Sequence, residues 1–327
     1  MVLKPSTQCA TCGAEATMRC LHCLDAPEYQ IGDSTVVVYC DSFCQEMHWP
    51  KHEGYCKDMQ KRKMLLRAAW LLKAAILAYK EIVYDVDLTK VEFKDGVLSL
   101  HQNPRPISSG PKHAPFPAHM FNSIEHKEAA LVHNQCTAAT ALLGPLTRRI
   151  LRGVPFVIET MDIIVQNPPL TTKLIPDVGS HSGTHTVLKI RERGNNDTWI
   201  IDTTGCQYGF RDLLVPFNKY FMDKECQVLD APFAYDAFET KDLDYYSMFP
   251  CFTRMKTQRK EMRLERQTRH HFAVFVAKTV GDNFLGGSDI DFEATIDLFV
   301  NGLKSHMVQS IRATEYFSND SDDDDDC

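Results

Sequence analysis

The sequence predicts two parts, a small metal-stabilised module at the N-terminus and a larger α+β domain after it. Two observations carry this prediction. Seven of the chain's 12 cysteines lie within its first 56 residues, most of them in closely spaced pairs. Beyond them, segments with the periodicity of helices mix with segments that alternate like strands. At 327 residues the chain is long enough for such a module and a body domain.

The N-terminal cysteines have the spacing of zinc ligands. A gap of two or three residues lets both members of a pair reach one metal ion, and four pairs are enough for two tetrahedral zinc sites. Closed four-ligand sites leave no position open, so this zinc is predicted to be structural. The pairs are Cys9-x2-Cys12, Cys20-x2-Cys23, Cys40-x3-Cys44 and His52-x3-Cys56.

The segment around the last two pairs carries a more specific pattern. The run Tyr39-Cys40-Asp41-Ser42-Phe43-Cys44-Gln45, followed by Trp49-Pro50 and His52-x3-Cys56, resembles the MYND zinc finger over residues 9–56. The insert between the second and third pairs, Leu24 to Tyr39, is longer than the family pattern. The resemblance implies that the pairs interleave, with one zinc ion on Cys9, Cys12, Cys40 and Cys44 and the other on Cys20, Cys23, His52 and Cys56.

The same resemblance implies a function. MYND fingers bind partner proteins, commonly through short proline-containing peptides, in regulatory complexes. Gln45 and Trp49 match the positions that would form the peptide groove, although Trp49 could instead be a core residue of the finger. His22 and His48 are predicted not to be ligands, because His52 alone has the family position. We therefore expect a zinc-binding protein–protein interaction protein with a regulatory or adaptor role.

Composition narrows the classes of function. The net charge is −7, and six of the negative charges are Asp320 and Asp322 to Asp326, so the remainder is near neutral. A chain with this charge balance lacks the excess of basic residues that favours nucleic-acid binding. No apolar run approaches the length of a membrane-spanning helix. The N-terminus lacks a signal-peptide pattern, and zinc-binding thiols suit a reducing compartment, so an intracellular protein, cytoplasmic or nuclear, is predicted.

Helical and strand patterns follow one another through the rest of the chain. We predict a connecting helix over 60–85, an α+β body over 86–312 and a disordered acidic tail over 313–327. Asp95-Gly96 between two apolar runs predicts a hairpin. The other predicted elements are a helical region over 123–151 with breaks near His133-Asn134 and Gly144-Pro145, a strand over 157–165, a short helix within 213–221 and a final helix over 289–312.

A second candidate site lies in the body. A hairpin of Thr184–Arg191 and Trp199–Asp202, if nearly symmetric, would put His185 opposite Asp202. Cys136 lies at a predicted helix start, which Asn134 could cap, and a helix N-terminus stabilises a thiolate. A thiol beside a histidine that an aspartate orients is a pattern of nucleophilic catalysis.

The order of Cys136, His185 and Asp202 resembles the transglutaminase-like branch of the papain-like fold, over about residues 125 to 210. The last motif of that family, a Trp followed by Asp-Pro-Thr, is matched by Trp199-Ile200-Ile201-Asp202-Thr203-Thr204, with Thr203 at the proline position. The resemblance implies a thiol acyltransferase or hydrolase whose finger recruits substrates. The alternatives are a core cysteine, a satisfied strand histidine and a turn aspartate, or a member that keeps the fold and has lost the chemistry.

Two basic segments also have alternative interpretations. Lys61-Arg62-Lys63 is predicted to be a solvated first turn of the connecting helix rather than a localisation patch. Arg254 to His271 is predicted to be a solvated helix, with nucleic acid or an acidic partner as the alternative.

Overall fold

The structure is a computed structural model that describes residues 8–103, 115–176, 184–194, 197–235 and 256–319. It divides the chain into two compact units, Met1–Ala68 and Ala69–Cys327.

The first unit is built on a small hairpin and one long helix. Strands β1 (Met18–Arg19) and β2 (Val38–Tyr39) pair antiparallel, and helix α1 (Ser42–Ile82) follows, of which residues 42–68 belong to this unit. Asp41 caps this helix, because its Oδ1 accepts a hydrogen bond from the Cys44 backbone N–H at 2.7 Å. The cap fixes the first turn of α1 beside the cysteines that precede it.

Helix α1 is longer than the sequence predicted. It begins at Ser42 rather than at residue 60, and it ends at Ile82 rather than at residue 85. The spacing of apolar residues does not reveal the early turns of this helix. In these turns Cys44, His52 and Cys56 face metal-ligand clusters rather than an apolar core. The prediction that Lys61-Arg62-Lys63 forms the first turn of the helix is therefore wrong, because these residues lie in the middle of α1.

Arg62 lies in the middle of α1 and contacts the insert of the finger. Its Nη1 lies 3.0 Å from Asp33 Oδ2 and donates a hydrogen bond to the Pro27 carbonyl at 3.0 Å. Lys63 Nζ donates to the Leu24 carbonyl at 3.2 Å. These contacts anchor the residues that the longer insert adds.

The second unit is an α+β domain, as predicted. Its strands within the described residues are Leu88–Lys94 (β3), Val97–Gln102 (β4), Phe156–Val165 (β5), Thr171–Ile175 (β6), Thr184–Glu192 (β7), Thr198–Ile201 (β8), Leu214–Pro216 (β9), Cys226–Val228 (β10) and Phe233–Ala234 (β11). Its helices after α1 are Ile124–Leu131 (α2), Cys136–Ile150 (α3), Phe217–Asp223 (α4), Lys256–Thr279 (α5) and Asp289–Asn319 (α6). Short 3-10 helices cover Ala118–Met120 and Gly205–Tyr208.

Two sheets organise these elements. The larger sheet is antiparallel with the order β10-β5-β7-β8-β9, and β11 also pairs with β5. The smaller sheet has the order β3-β4-β6, with β4 and β6 parallel. The predicted Asp95-Gly96 hairpin is confirmed, since Lys94 pairs with Val97 and both turn residues have positive φ, 51° and 77°. The short strands β6, β9, β10 and β11 were not predicted from the sequence.

The helical region before β5 breaks once, not twice. The break near His133 is confirmed, because α2 ends at Leu131 and α3 begins at Cys136. The predicted break at Gly144-Pro145 is wrong, because α3 runs through Pro145 to Ile150. The neighbours of the proline, Leu143, Gly144 and Leu146, are buried, and this burial outweighs the lost backbone hydrogen bond.

Helix α6 continues to Asn319, past the predicted end at residue 312, so the predicted disordered tail does not begin at 313. The remainder of that tail, 320–327, lies outside the described residues.

The predicted basic helix over 254–271 is confirmed from Lys256, within α5. Among the described residues, no helix has both the length and the apolar character to cross a bilayer.

One face of the larger sheet supports a buried core. The side chains of Tyr220 and Phe210 pack into this core from outside the strands. The sheet residues of the cluster are Met161, Ile163, Val165, Val187, Ile200, Val215 and Cys226.

Candidate zinc centres and a candidate thiol site

The first cysteine cluster joins the N-terminal pair to the third pair. The sulfur atoms of Cys9, Cys12, Cys40 and Cys44 all lie within 4.8 Å of one another. Cys12 Sγ lies 3.6 Å from Cys40 Sγ, and Cys40 Sγ lies 3.4 Å from Cys44 Sγ. Ligands at about 2.3 Å from a tetrahedral zinc ion are about 3.8 Å apart, so this cluster fits one zinc ion.

The second cluster joins the second pair to the fourth. Cys20 Sγ lies 3.8 Å from Cys56 Sγ, and Cys23 Sγ lies 3.6 Å from His52 Nε2. All four residues are buried. This cluster fits a second zinc ion, and the interleaving of the pairs is the one that the MYND resemblance implies.

The core of the finger consists largely of these ligands. Half of the residues in its buried cluster are cysteines, Cys9, Cys20, Cys23, Cys44 and Cys56. Burial and the neighbouring thiols raise the pKa of Cys23 to about 12, which disfavours its thiolate. Bound zinc reverses this preference, because coordinating thiols are deprotonated. The donor set therefore fits a metal better than it fits a purely hydrophobic core.

Neighbouring rings surround the histidine ligand. The ring of His48 stacks on that of His52 with centroids 5.8 Å apart, and its Nδ1 hydrogen-bonds the Tyr39 hydroxyl at 3.0 Å. Trp49 meets His52 edge-on at 6.1 Å. His22 is exposed. Neither His22 nor His48 belongs to a ligand cluster among the described residues.

The candidate thiol site lies where β7, the end of β8 and the start of α3 meet. Leu188 pairs with Ile201 and Arg191 with Thr198. Continued by one residue, this register puts Asp202 opposite Val187, so the prediction of His185 directly opposite Asp202 is wrong by two positions. A shift of two residues keeps both side chains on one face, and they meet diagonally.

The two predicted partners form a buried pair. His185 Nε2 lies 2.9 Å from Asp202 Oδ1, and both side chains are almost completely buried. Asp202 has two further donors, the Tyr220 hydroxyl to Oδ2 at 2.7 Å and the Thr204 backbone N–H to Oδ1 at 3.3 Å. These contacts fix the carboxylate, and the carboxylate in turn fixes the plane of the imidazole.

Cys136 is the first residue of α3 and is half-buried. Its N-cap is Gln135 rather than Asn134, and Asn134 instead adopts a left-handed conformation with φ 56°. The Cys136 Sγ lies 3.8 Å from the Thr184 carbonyl oxygen. His185 Nδ1 is buried and has no hydrogen-bond partner among the described residues. It is therefore the ring nitrogen available to interact with the Cys136 thiol.

The electrostatics of the three groups favour charge separation. Burial opposes ionisation of the thiol, but the adjacent His185 lowers the pKa of Cys136 below its ordinary value. Burial likewise opposes the imidazolium, but Asp202 outweighs it and raises the pKa of His185 to about 10. The same partner holds the pKa of Asp202 below its usual range, against the effect of burial. Together these shifts support a thiolate beside an imidazolium.

Several residues of this site escaped the sequence analysis. Tyr220 lies on α4 and has no sequence signal that links it to Asp202. Gly205 lies so close to Asp202 that a Cβ there would be 2.2 Å from Oδ2. Tyr208 meets the His185 ring edge-on at 5.0 Å. The burial of Thr204 and Gln207 beside the site is not visible in the sequence.

The other described thiols of the body differ from Cys136. Burial raises the pKa of Cys206 to about 12 and that of Cys226 to about 11. Both are buried, whereas Cys136 is half-buried. Cys136 is therefore the thiol of the described body that combines access with a lowered pKa.

Comparison with known proteins identifies the finger and finds no match for the body. The family model described as MYND finger matches residues 9–56, so this segment is a MYND zinc finger. No curated protein and no solved structure matches the chain. The transglutaminase-like resemblance of the body therefore gains no support from these comparisons.

Proposed function

We propose that the chain is a zinc-dependent protein-interaction protein whose finger binds a proline-containing segment of a partner. The observation that carries this proposal is the pair of ligand clusters that fits two zinc ions within a MYND finger. Closed sites of this kind stabilise a fold and offer no open position for chemistry. The finger therefore acts through its surface.

The surface we assign to the peptide contains Gln45 and Trp49. They lie one turn apart on α1 and so share a face of the helix. Trp49 is 36% exposed, and its contact with His52 fixes the ring against a zinc ligand. Extended proline-rich peptides dock against exposed aromatic rings, because the peptide is already ordered before it binds. The zinc-binding thiols suit a reducing intracellular compartment, cytoplasmic or nuclear.

Peptide binding by the zinc-loaded full chain tests this proposal. Fluorescence polarisation against a library of labelled proline-containing peptides should find ligands whose affinity falls at least about tenfold in Trp49→Ala, as expected for loss of an aromatic anchor. The matched control is Trp70→Ala, which removes another exposed tryptophan outside the finger. Equal binding by Trp49→Ala and the wild type, or binding that survives removal of zinc, would refute the proposal.

A second candidate function rests on a different observation, the buried His185–Asp202 pair beside Cys136. We propose thiol-based acyl transfer or hydrolysis in the body, with a transglutaminase-like arrangement of the three residues. The finger would then recruit the substrate. Asp202 orients the imidazole, His185 keeps the thiol ionised, and the start of α3 stabilises the thiolate.

The proposed reaction has two steps. The Cys136 thiolate attacks the carbonyl carbon of an amide or ester, and the carbonyl π electrons move to its oxygen. The tetrahedral intermediate collapses to a thioester as the His185 imidazolium gives its proton to the leaving amine or alkoxide. Water or an amine then attacks the thioester, His185 accepts the proton of that nucleophile, and the thiolate leaves.

Alkylation of Cys136 tests the assembly of this site. Iodoacetamide labelling of the zinc-saturated protein, quantified on the peptide that contains Cys136, should show an apparent pKa below the ordinary thiol value of 9.0. In His185→Ala the apparent pKa should rise, because the side chain that most strongly opposes the effect of burial is removed. Slow labelling that does not respond to His185→Ala would instead establish a packed core cysteine.

A further inference from the structure

Gln207 carries a buried hydrogen-bond donor that the mechanism above does not use. Its side chain is only 3% exposed. Its Nε2 has no acceptor among the described residues, although buried amide groups are nearly always hydrogen-bonded. An orphan donor of this kind costs stability and needs an explanation, such as a group that arrives with a ligand.

The same side chain is attached to the turn that leads into Cys136. The Asn134 backbone N–H donates to Gln207 Oε1 at 3.1 Å, two residues before the thiol. Because an amide has one acceptor oxygen, this bond fixes which end of the side chain is the free donor. Gln207 also belongs to the segment Gly205–Tyr208, which touches Asp202 at Gly205 and His185 at Tyr208. One short segment thus lies against the buried Asp202–His185 pair and holds the turn that precedes the thiol.

The start of α3 supplies further donors next to the thiol. Cys136 is the first residue of this 15-residue helix, and the first backbone N–H groups of a helix have no intrahelical acceptor. Gln135 offers no side-chain cap to them. A carbonyl attacked by Cys136 would develop negative charge on its oxygen next to these N–H groups.

We propose that Gln207 Nε2 donates a hydrogen bond to the oxyanion of the acyl substrate, together with the backbone N–H groups at the start of α3. The inference rests on the thiol acyl-transfer function proposed above. It names the substrate as a carbonyl compound that passes through a tetrahedral oxyanion. As the thiolate–carbon bond forms, the carbonyl π pair moves to oxygen, and the two donors stabilise that charge until the pair returns and expels the leaving group.

A competing residue is closer in sequence but is engaged elsewhere. Gln135 directly precedes Cys136, yet its Oε1 accepts a hydrogen bond from Lys80 Nζ at 3.2 Å. Its side chain is directed to Lys80 rather than held by the turn that leads into the thiol. It therefore provides a matched comparison, a glutamine next to the nucleophile whose loss should not affect the oxyanion.

The test compares two reactions of the same thiol. Alkylation by iodoacetamide displaces iodide at a saturated carbon and forms no oxyanion. Acylation by p-nitrophenyl acetate forms a tetrahedral oxyanion before p-nitrophenolate leaves. Both are measured on zinc-saturated full chain as modification of the Cys136 peptide, with Cys136→Ser as background. Gln207→Met should lower the acylation rate about 10²-fold or more, as loss of an oxyanion donor does, while alkylation stays within about twofold of the wild type.

Two further variants secure the interpretation. Gln207→Glu keeps an acceptor for the Asn134 N–H and, at a pH where the new carboxyl is ionised, removes the donor, so it should lose acylation there even if Gln207→Met does not fold. Gln135→Met should acylate like the wild type. If both Gln207 variants acylate at the wild-type rate, or lose alkylation in equal measure, the oxyanion role is wrong and the thiol function stands. If the wild type acylates no faster than Cys136→Ser, the thiol function fails and the oxyanion role fails with it.

Discussion

Gly205 offers the most direct perturbation of the thiol site, because one added methyl group displaces Asp202. A Cβ at this position would lie 2.2 Å from Asp202 Oδ2 and 2.7 Å from its Cγ, where ordinary contact begins near 3.4 Å. The carboxylate must therefore move by about 1 Å in Gly205→Ala. It cannot do so while it keeps its contacts to His185 Nε2 at 2.9 Å and to the Tyr220 hydroxyl at 2.7 Å.

The expected magnitude follows from these contacts. Overpacking a tight site costs about 1–3 kcal/mol, and each hydrogen bond to a charged group contributes about 1.5–3 kcal/mol. With one such bond weakened rather than lost, we expect Gly205→Ala to destabilise the body by about 2–4 kcal/mol. For a domain of this size that lowers Tm by about 5–12 °C. The apparent pKa of Cys136 should also rise, because His185 loses the partner that keeps it charged.

The assay is thermal unfolding followed by circular dichroism, combined with the pH profile of Cys136 alkylation. Gly281→Ala is the matched control, because a Cβ there has no neighbour within 4 Å and the residue does not have a positive φ. Equal Tm values and equal alkylation profiles for Gly205→Ala and Gly281→Ala would refute this prediction, since the carboxylate would then have room that the structure does not show.

The remaining predictions concern the finger and the buried pair. His52→Ala should reduce bound zinc from two ions to one or fewer, whereas His48→Ala should retain both; metal analysis of the purified chains distinguishes them, and equal zinc in the two variants would contradict the ligand assignment. Tyr220→Phe should cost about 1.5–3 kcal/mol in urea denaturation, because it leaves Asp202 Oδ2 without its hydroxyl donor, and a loss below about 0.5 kcal/mol would show that the bond adds nothing. The folded-state pKa of His185 is raised to about 10 from 6.5, so the stabilisation by this group is complete below pH 6.5 and is lost as pH rises to about 10. The pKa of Asp202 is lowered from 3.8, so its contribution is lost as pH falls below that value. The difference in unfolding free energy between the wild type and Asp202→Asn should therefore be greatest between about pH 4 and pH 6.5, and a difference that does not vary with pH would exclude a charged pair.

The zinc ligands could be predicted because metal coordination depends on residue type and spacing. The thiol pairs Cys9 with Cys12 and Cys20 with Cys23 are local in the sequence, and a short gap already restricts the geometry of each pair. The long helix that carries Cys44 was not predictable to the same degree. Its early turns present metal ligands where an amphipathic helix presents leucines, so the periodicity begins only after the last ligand.

The thiol site could be predicted only in part. The strand alternation around His185 determined which face it shares with Asp202, and this parity survives the error of two residues in the register. The error itself came from the assumption of a symmetric turn, which the sequence does not specify. Tyr220 and Gln207 come from separate elements, and only the packing of the body brings them to Asp202 and Asn134.

The position of the last three ligands on a single helix links the two zinc ions. Cys44 belongs to the first cluster, whereas His52 and Cys56 belong to the second, and all three lie on α1. Binding of the first zinc ion includes the free-energy cost of nucleating this helix. The second zinc ion then binds to a helix that is already ordered. We therefore expect cooperative metal uptake, with a binding isotherm steeper than that of two independent sites. A chelator should accordingly take the finger from the doubly loaded to the empty form with little of the singly loaded species between them.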